Sequence, residues 1–520
     1  MPADAQPGRV RLAELVASLS LGIDLGFGQP MEHVLRQCLI ALRLAEQVGL
    51  DQESRVAVYY AALLINVGCH SDAHEQAKWF GDDIAMKSKK YDPSLQTGLR
   101  GAVSGLRSLG AGHPPLHRFR LGLEFVISGW REVDGMIASH SRLARALAEQ
   151  LALPQRACDA VGAAYEAWDG RGWPGALAGA EIPIAARIVS IAEYAEVAHR
   201  VSGLDGVVAL AHGRGGKQFD PALSKLLRER GPAIFEGLDS AGAWDSVLDQ
   251  EPALTVLLGD EEFDAALLAL ANFIDLKSPY TLGHSAAVAQ LAAATGNALG
   301  LPPTEVHTLR RACLVHGFGR LGVSNSILDK PGPLGAGEWE RVRMQPYYTD
   351  RMLRQSSALG PLAAIVAHLR ERMDGSGYPR GLFGGAISRT GRILAVVDVY
   401  LALREPRPHR PAHSSEEAAR LTRQEARAGK LDPDIVEAVL STAGHQSRRR
   451  LDWPAGLTAR EVDVLRLVAR GLPTKGIADE LGMSPKTAGN HIEHIYAKVG
   501  AKNRVSASLF AVEHGLLPEG

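Results

Sequence analysis

The chain has 520 residues, 46% of them apolar and 22% charged, with a formal net charge of −1. That is the make-up of a soluble globular protein of several domains, and it excludes a global field that would pull the chain toward nucleic acid or membrane. Any DNA contact must therefore come from a local patch. The four cysteines, Cys38, Cys69, Cys158 and Cys313, have no CxxC spacing, which argues against a zinc ribbon or a disulfide framework and fits a reducing cytosol. The first residues, MPADAQPGRV, lack the apolar core of a signal peptide, and no apolar run reaches the roughly 20 residues that span a bilayer. The expectation is a cytoplasmic protein with no membrane contact.

In chain order, "RLAELVASL" and "CLIALRLAEQVGL" carry apolar residues at helical spacing, and the chain reads as mainly α. His33 is followed by "YYAALLINVGCH", with Ile65 thirty-two residues on. Then come the Gly-rich "EAWDGRGWPGALAGAEIPIAARIVSIAE" at 166–193 and "FDP" at 219–221. The same order returns. His284 is followed at the same distance of thirty-two by His316, in "RRACLVHGFGRLG". "ERMDGSGYPRGLFGGAISRTGRILAVVD" occupies 371–398, and "LDP" occupies 431–433. Asp169 to Glu193 and Asp374 to Asp398 are both twenty-four residues. Matched spacing over so many markers predicts that residues 10–250 and 258–445 are two copies of one helical unit; two unrelated bundles would not share it.

The second copy resembles the HD-GYP domain, a branch of the HD phosphohydrolases, from "DLKSPYTLGHS" through "KPGPL", "DGSGYPRGL" and "RILAVVDVY" to "RPHR" and "LDPDIV". The resemblance implies a bundle that presents His and Asp side chains to two or three metal ions, which activate a water that cleaves a phosphodiester, usually in cyclic di-GMP. It also assigns slots. His284, His316 and Asp398 hold three of them. The aspartate of the name-giving pair is replaced by Gly317, the lysine after it by Arg320, a later histidine by Gln345, and an adjacent histidine pair by Leu369 and Arg370. His368, beside the lost pair, is not expected to substitute. Three ligands are too few for two metals, and Arg370 places a fixed positive charge where a cation would bind. In the first copy His33 holds the first slot. Ile65 and Asn66 replace the His-Asp pair, Cys69 the lysine, Ala164 and Tyr165 the histidine pair, and Glu193 the late aspartate. Glu193 with Glu196 reads as a solvated or salt-bridged helix face.

These substitutions predict no catalytic residues, no bound metal and no cofactor, with His284, His316 and Asp398 as remnants and His316 packed in the core. The turns "DGRGWP" and "DGSGYP" use glycines for positive φ and close backbone approach, and read first as needs of the fold. Arg370, Arg372, Arg380 and Arg392 surround the second turn, as a dispersed charged face or as contacts for a small phosphate-containing ligand.

A basic linker at 446–454, with Arg448, Arg449 and Arg450, leads to residues 455–520. Thr458 and Glu461 form a capping box, and Gly471 ends that helix. Thr474 starts a short helix, Gly482 turns it, and Ser484 caps a third helix with Pro485 at its first position. Ala488, Ile492, Ile495 and Val499 form the buried stripe of the third helix, which leaves its other face for a DNA groove. "LTAREVDVLRLVARG", "IADELGMSPKT" and "HIEHIYAKVG" are similar to the LuxR/NarL-type DNA-binding domain, a small four-helix helix-turn-helix unit. Two places that are usually basic in that family hold Gly489 and Glu493. Candidate DNA contacts are Lys486, Thr487, Asn490, His494, Lys498, Lys502 and Arg504. Together these features point to a homodimeric transcription regulator that binds double-stranded DNA and carries a catalytically degenerate HD-GYP body. The alternatives are a cyclic di-GMP phosphodiesterase fused to a DNA-binding domain, and a protein–protein scaffold.

Overall fold

Apolar side chains recurring every three or four residues form helices almost throughout, as that spacing requires. The structure, a computed structural model, describes residues 9–91, 109–110, 118, 120–121, 124–125, 130–238, 242–252, 256–445, 454–514 and 516. The only strands among the described residues are the two-residue pieces Val10–Arg11 and Leu257–Leu258, antiparallel with Val10 opposite Leu258. This ribbon sets the entrances of the two repeats side by side. The contacts divide the chain once, into Met1–His445 and Gln446–Gly520.

The first unit has one continuous apolar core. At its centre lies the helix Leu12–Gly26, in which every residue but Leu25 is buried. A helix buried all round needs cover on every side. The helices His33–Val48 and Gln52–Leu64 of the first copy supply part of it, and Phe318–Gly322 and Gln345–Leu353 of the second copy supply the rest. Gly22 allows the approach: a Cβ there would stand 2.7 Å from Leu321 Cδ1 and 3.1 Å from Met352 Sδ. Nearby, the Glu14 carboxylate, buried between the copies, accepts from Ser356 Oγ at 2.6 Å and from the Ser357 amide at 3.0 Å, so this charge is paired.

The copies share fastenings as well as helices. Asp24 accepts the Val34 amide at 3.1 Å, and Asp275 accepts the Ser285 amide at 2.7 Å, each at the start of the helix that carries the first histidine. Glu166 holds the first Gly-rich turn through the amides of Gly175 and Ala176; Glu371 holds the second through Arg380 and Leu382. Arg187 pairs with Asp220 at 2.7 Å, and Arg392 with Asp432 at 3.0 Å. A Cβ on Gly172 or Gly377 would come within 2.2 or 2.4 Å of backbone nitrogen, so neither turn closes with a larger residue.

The second unit has its own core, built on Leu457, Val462, Leu465, Ile477, Ala488, Ile495, Ala507 and Ala511. Its helices are Ala459–Ala469, Thr474–Glu480, Pro485–Val499 and Arg504–Glu513. The Thr458–Glu461 capping box forms, and Ser484 Oγ accepts the Thr487 amide at 3.1 Å. The linker arginines Arg448, Arg449 and Arg450 lie outside the described residues.

Candidate metal centre and nucleic-acid face

His284 opens the helix His284–Ala298, His316 follows Pro303–Val315, and Asp398 sits midway along Arg389–Arg404. Packing of these helices brings the three side chains together, all buried, with one ligand atom from each lying within 4.8 Å of the others. Asp398 Oδ1 is 3.2 Å from His284 Nε2 and 3.7 Å from His316 Nε2. The expectation of no metal and no cofactor is therefore corrected: the three remnants converge as a donor set that could hold one cation.

The surroundings prepare these donors. The Nδ1–H of His316 donates to the Cys313 carbonyl at 2.5 Å, which leaves Nε2 as the lone-pair atom. Burial, reinforced by Arg320 and His284, pulls the His316 ring down to about 3, so it stays neutral. Burial opposes charge on His284 too, but its bonds to Asp398 and to Glu405, at 2.8 Å, raise it above the ordinary histidine value. His284 lies between two carboxylates, which favours its protonated form; a cation at Nε2 would have to displace a proton there. Burial alone would raise Asp398, yet Arg370 and His284 hold it well below the usual carboxylate range.

Two guanidinium groups already use these donors. Arg370 Nη1 donates to Asp398 Oδ2 at 2.9 Å, and Arg320 Nη2 lies 3.3 Å from His316 Nε2. A cation about 4 Å from one guanidinium is repelled by roughly 4 kcal/mol per unit charge at an effective dielectric of about 20. One metal ion therefore fits in competition with arginine. Among the described residues no donor group for a second ion is found beside it. Gly317 offers no carboxylate, although an added Cβ would meet nothing nearer than 3.5 Å, so the missing aspartate is not a steric necessity. Leu369 is a buried apolar residue, and His368 is bonded to Ser388 Oγ at 3.0 Å, outside the cluster.

The first copy solves the same problem with lysine. Lys90 Nζ lies 2.7 and 2.9 Å from the two Glu193 oxygens and 3.0 Å from Asn66 Oδ1. The rings of Phe27, Tyr91, Tyr165 and Tyr194 surround it at 5.3 to 5.7 Å, the distance of cation–π attraction. Burial works against the charge on both partners; their mutual attraction outweighs it, raising Lys90 and lowering Glu193. Glu193 and Glu196 are both buried and ion-paired, the latter with His33 at 2.5 Å and with Arg36 and Arg200. Of the two readings, a solvated or a salt-bridged face, the salt-bridged one is found, and the face is buried. Sequence reasoning missed Lys90. It also missed His140, which a further spacing would have found: His140 to Ala164 is twenty-four residues, as is Gln345 to Leu369.

In the C-terminal unit, Lys486, Thr487, Asn490, Glu493 and His494 are exposed on the third helix, while Ala488 and Ile495 are buried. Gly489 is half-buried, and a Cβ there would meet nothing within 4 Å. Lys498 and Arg504 serve the domain itself. Lys498 Nζ bonds Glu461 Oε2 at 2.7 Å and the Gly456 carbonyl at 3.2 Å. Arg504 donates to the carbonyls of Gly471 and Leu472, at the end of the first helix.

With this geometry in hand, comparison with known proteins is informative. Residues 131–205 and 269–435 match the family described as HD domain, one segment in each copy, and residues 455–511 match the bacterial regulatory proteins of the luxR family. A 3'3'-cGAMP-specific phosphodiesterase of Vibrio cholerae is 29% identical over 432 residues, which is 82% of this chain and 94% of the relative. A cyclic di-GMP phosphodiesterase of Pseudomonas aeruginosa is 37% identical over 193 residues, 35% of this chain and 46% of the relative. A crystal structure of a cyclic GMP-AMP specific phosphodiesterase from V. cholerae superposes with a TM-score of 0.57 at 25% identity, covering 84% of this chain and 98% of that one. No helix among the described residues is long and apolar enough to cross a membrane.

Proposed function

The chain is an HD-domain protein of the HD-GYP kind with a C-terminal luxR-family DNA-binding domain, and from that premise we propose that it is a cytoplasmic, homodimeric transcription regulator. Its body reads a small phosphate-containing ligand and does not hydrolyse it at the rate of a phosphodiesterase. The observation that carries this reading is the pair of guanidinium groups on the metal-ligand set, Arg370 on Asp398 and Arg320 on His316. One cation, held by His284, His316 and Asp398, would polarise a phosphate oxygen when bound. The chain's own residues bind and orient: Arg370 and Arg320 present N–H groups suited to phosphate. No carboxylate stands at Gly317 to bridge a second ion. The cyclic dinucleotides on which the relatives act are the first ligands to test.

DNA is the proposed output partner. Lys486, Thr487, Asn490 and His494 are exposed along one helix, the arrangement by which a recognition helix enters a major groove. With Glu493 on that face, one domain alone should bind weakly, and a dimer would supply two helices to half-sites about one turn apart.

The test uses full-length protein grown with added iron and manganese. At most one metal per chain is expected, with turnover of 3'3'-cGAMP and cyclic di-GMP no faster than in His316→Ala. Selection of bound genomic fragments should enrich a common duplex sequence. A second reading, a working phosphodiesterase, is favoured by the convergence of three metal-type ligands within 4.8 Å. Two metals per chain with hydrolysis above the His316→Ala control would establish it in place of the first.

A further inference from the structure

One cluster of reactive side chains borders the Lys90 centre, sharing Tyr165 with it, and plays no part in the function proposed above. Cys69 lies in the short turn Val67–His70, and His140 reaches it from the helix Trp130–Gln150. Cys69 Sγ is 3.4 Å from His140 Nδ1. The other ring nitrogen of His140, Nε2, is hydrogen-bonded to Asp72 Oδ2. A nucleophile, a base in reach of its proton, and a third group that orients the base are the three parts of an activated thiol. The Tyr165 hydroxyl, 2.9 Å from Sγ, adds a donor for negative charge on sulfur.

We propose that Cys69 is an activated nucleophilic thiol, the site at which this protein reacts covalently with soft electrophiles such as hydroperoxides. In the reaction the thiolate sulfur attacks one peroxide oxygen. An S–O bond forms and the O–O bond breaks; sulfur is oxidised to the sulfenic acid and the peroxide is reduced. The departing hydroxide or alkoxide takes the proton held on His140 and leaves as water or alcohol, so atoms and charge balance.

The electrostatics support this geometry. Burial pushes the Cys69 thiol up, but His140, Lys90 and Tyr165 together bring it below the ordinary thiol value. Burial opposes charge on His140 as well; Cys69 and Asp72 outweigh it and raise the ring to about 10. Glu193 is ion-paired with Lys90, which balances its charge. The other cysteines differ. Cys38 and Cys313 are raised by burial, and Cys158 is raised too. Cys69 is 7% exposed, against 0% to 1% for the other three. The competing arrangement is a neutral thiol donating to Tyr165 while the Tyr165 hydroxyl donates to the Ile65 carbonyl at 2.9 Å.

Alkylation of full-length protein with iodoacetamide, followed peptide by peptide in a mass spectrometer, separates the two. Cys69 is expected to react about tenfold faster than each other cysteine at neutral pH, at a rate nearly flat between about pH 6 and 8, because the thiolate is already formed. His140→Gln should slow it about tenfold at neutral pH and make the rate climb with pH. Brief hydrogen peroxide treatment with dimedone present should tag Cys69 in the wild type and leave His140→Gln untagged. Labelling of Cys38, Cys158 and Cys313 reports any opening of the fold; should His140→Gln open it, Asp72→Asn replaces it, with the same change of slope expected. A wild-type Cys69 that labels no faster than the other three, or whose rate rises about tenfold per pH unit through neutrality, overturns the proposal. So does a flat profile that neither variant alters.

Discussion

The two copies carry the same slots and fill them in opposite ways. In the first, Lys90 brings a permanent ammonium to Glu193 and Asn66 inside a ring of aromatic side chains. In the second, two histidines and Asp398 converge as a donor set that could hold a cation, in competition with two arginines. A buried carboxylate needs a positive partner in either case. The difference is whether that partner is part of the chain or can be exchanged with solution. A tethered lysine makes the first centre structural. In the second centre the arginines bond the donors that a cation would use, so the two compete.

The largest expected effect lies in the first copy. Lys90→Met removes the cation from Glu193, which is only 2% exposed, and should cost about 3–5 kcal/mol in urea unfolding, the usual price of stranding one partner of a buried pair. A loss under about 1 kcal/mol would mean that Lys90 is not the substitute for a metal. In the second copy Arg370→Ala should do the reverse for metal, tightening Mn2+ binding about tenfold or more by calorimetry, because it relieves repulsion of a few kcal/mol. Unchanged affinity would show that Arg370 does not compete.

The pH dependence sharpens the contrast. His284 is raised above its unfolded value of 6.5. Its contribution to stability is fully present below that value and is lost as pH rises through the folded pKa. Metal binding runs the other way, because the ion replaces the proton: affinity at the second centre should rise with pH through the folded value, releasing about one proton per ion. Binding that does not vary with pH would mean that the cation does not use His284 Nε2. Smaller effects belong to the C-terminal unit. Asn490→Ala should relax preference at one base pair by about 1–3 kcal/mol, and Glu493→Lys should tighten binding to all sequences and steepen its salt dependence. Lys498→Met should instead lower the domain's thermal stability by no more than about 1 kcal/mol, since its partner is Glu461. Fluorescence anisotropy and thermal melts tell these apart.

Much of this molecule follows from local sequence. Helical periodicity, the Thr458–Glu461 box and the Ser484-Pro485 start are short-range signals, and each recurs in the structure because backbone hydrogen bonding and capping act within a few residues. The motifs also named His284, His316 and Asp398. What they did not convey was that these three remnants still face one another: a count of ligands lost says nothing about the geometry of those that stay. That was decided by packing of Arg389–Arg404 against two consecutive helices much earlier in the chain, which sets the donors within 4.8 Å. Lys90 against Glu193, and His140 against Cys69, are contacts across more than 70 residues. Only the folded core brings such groups together, because burial, and not sequence distance, selects which charge must find which partner.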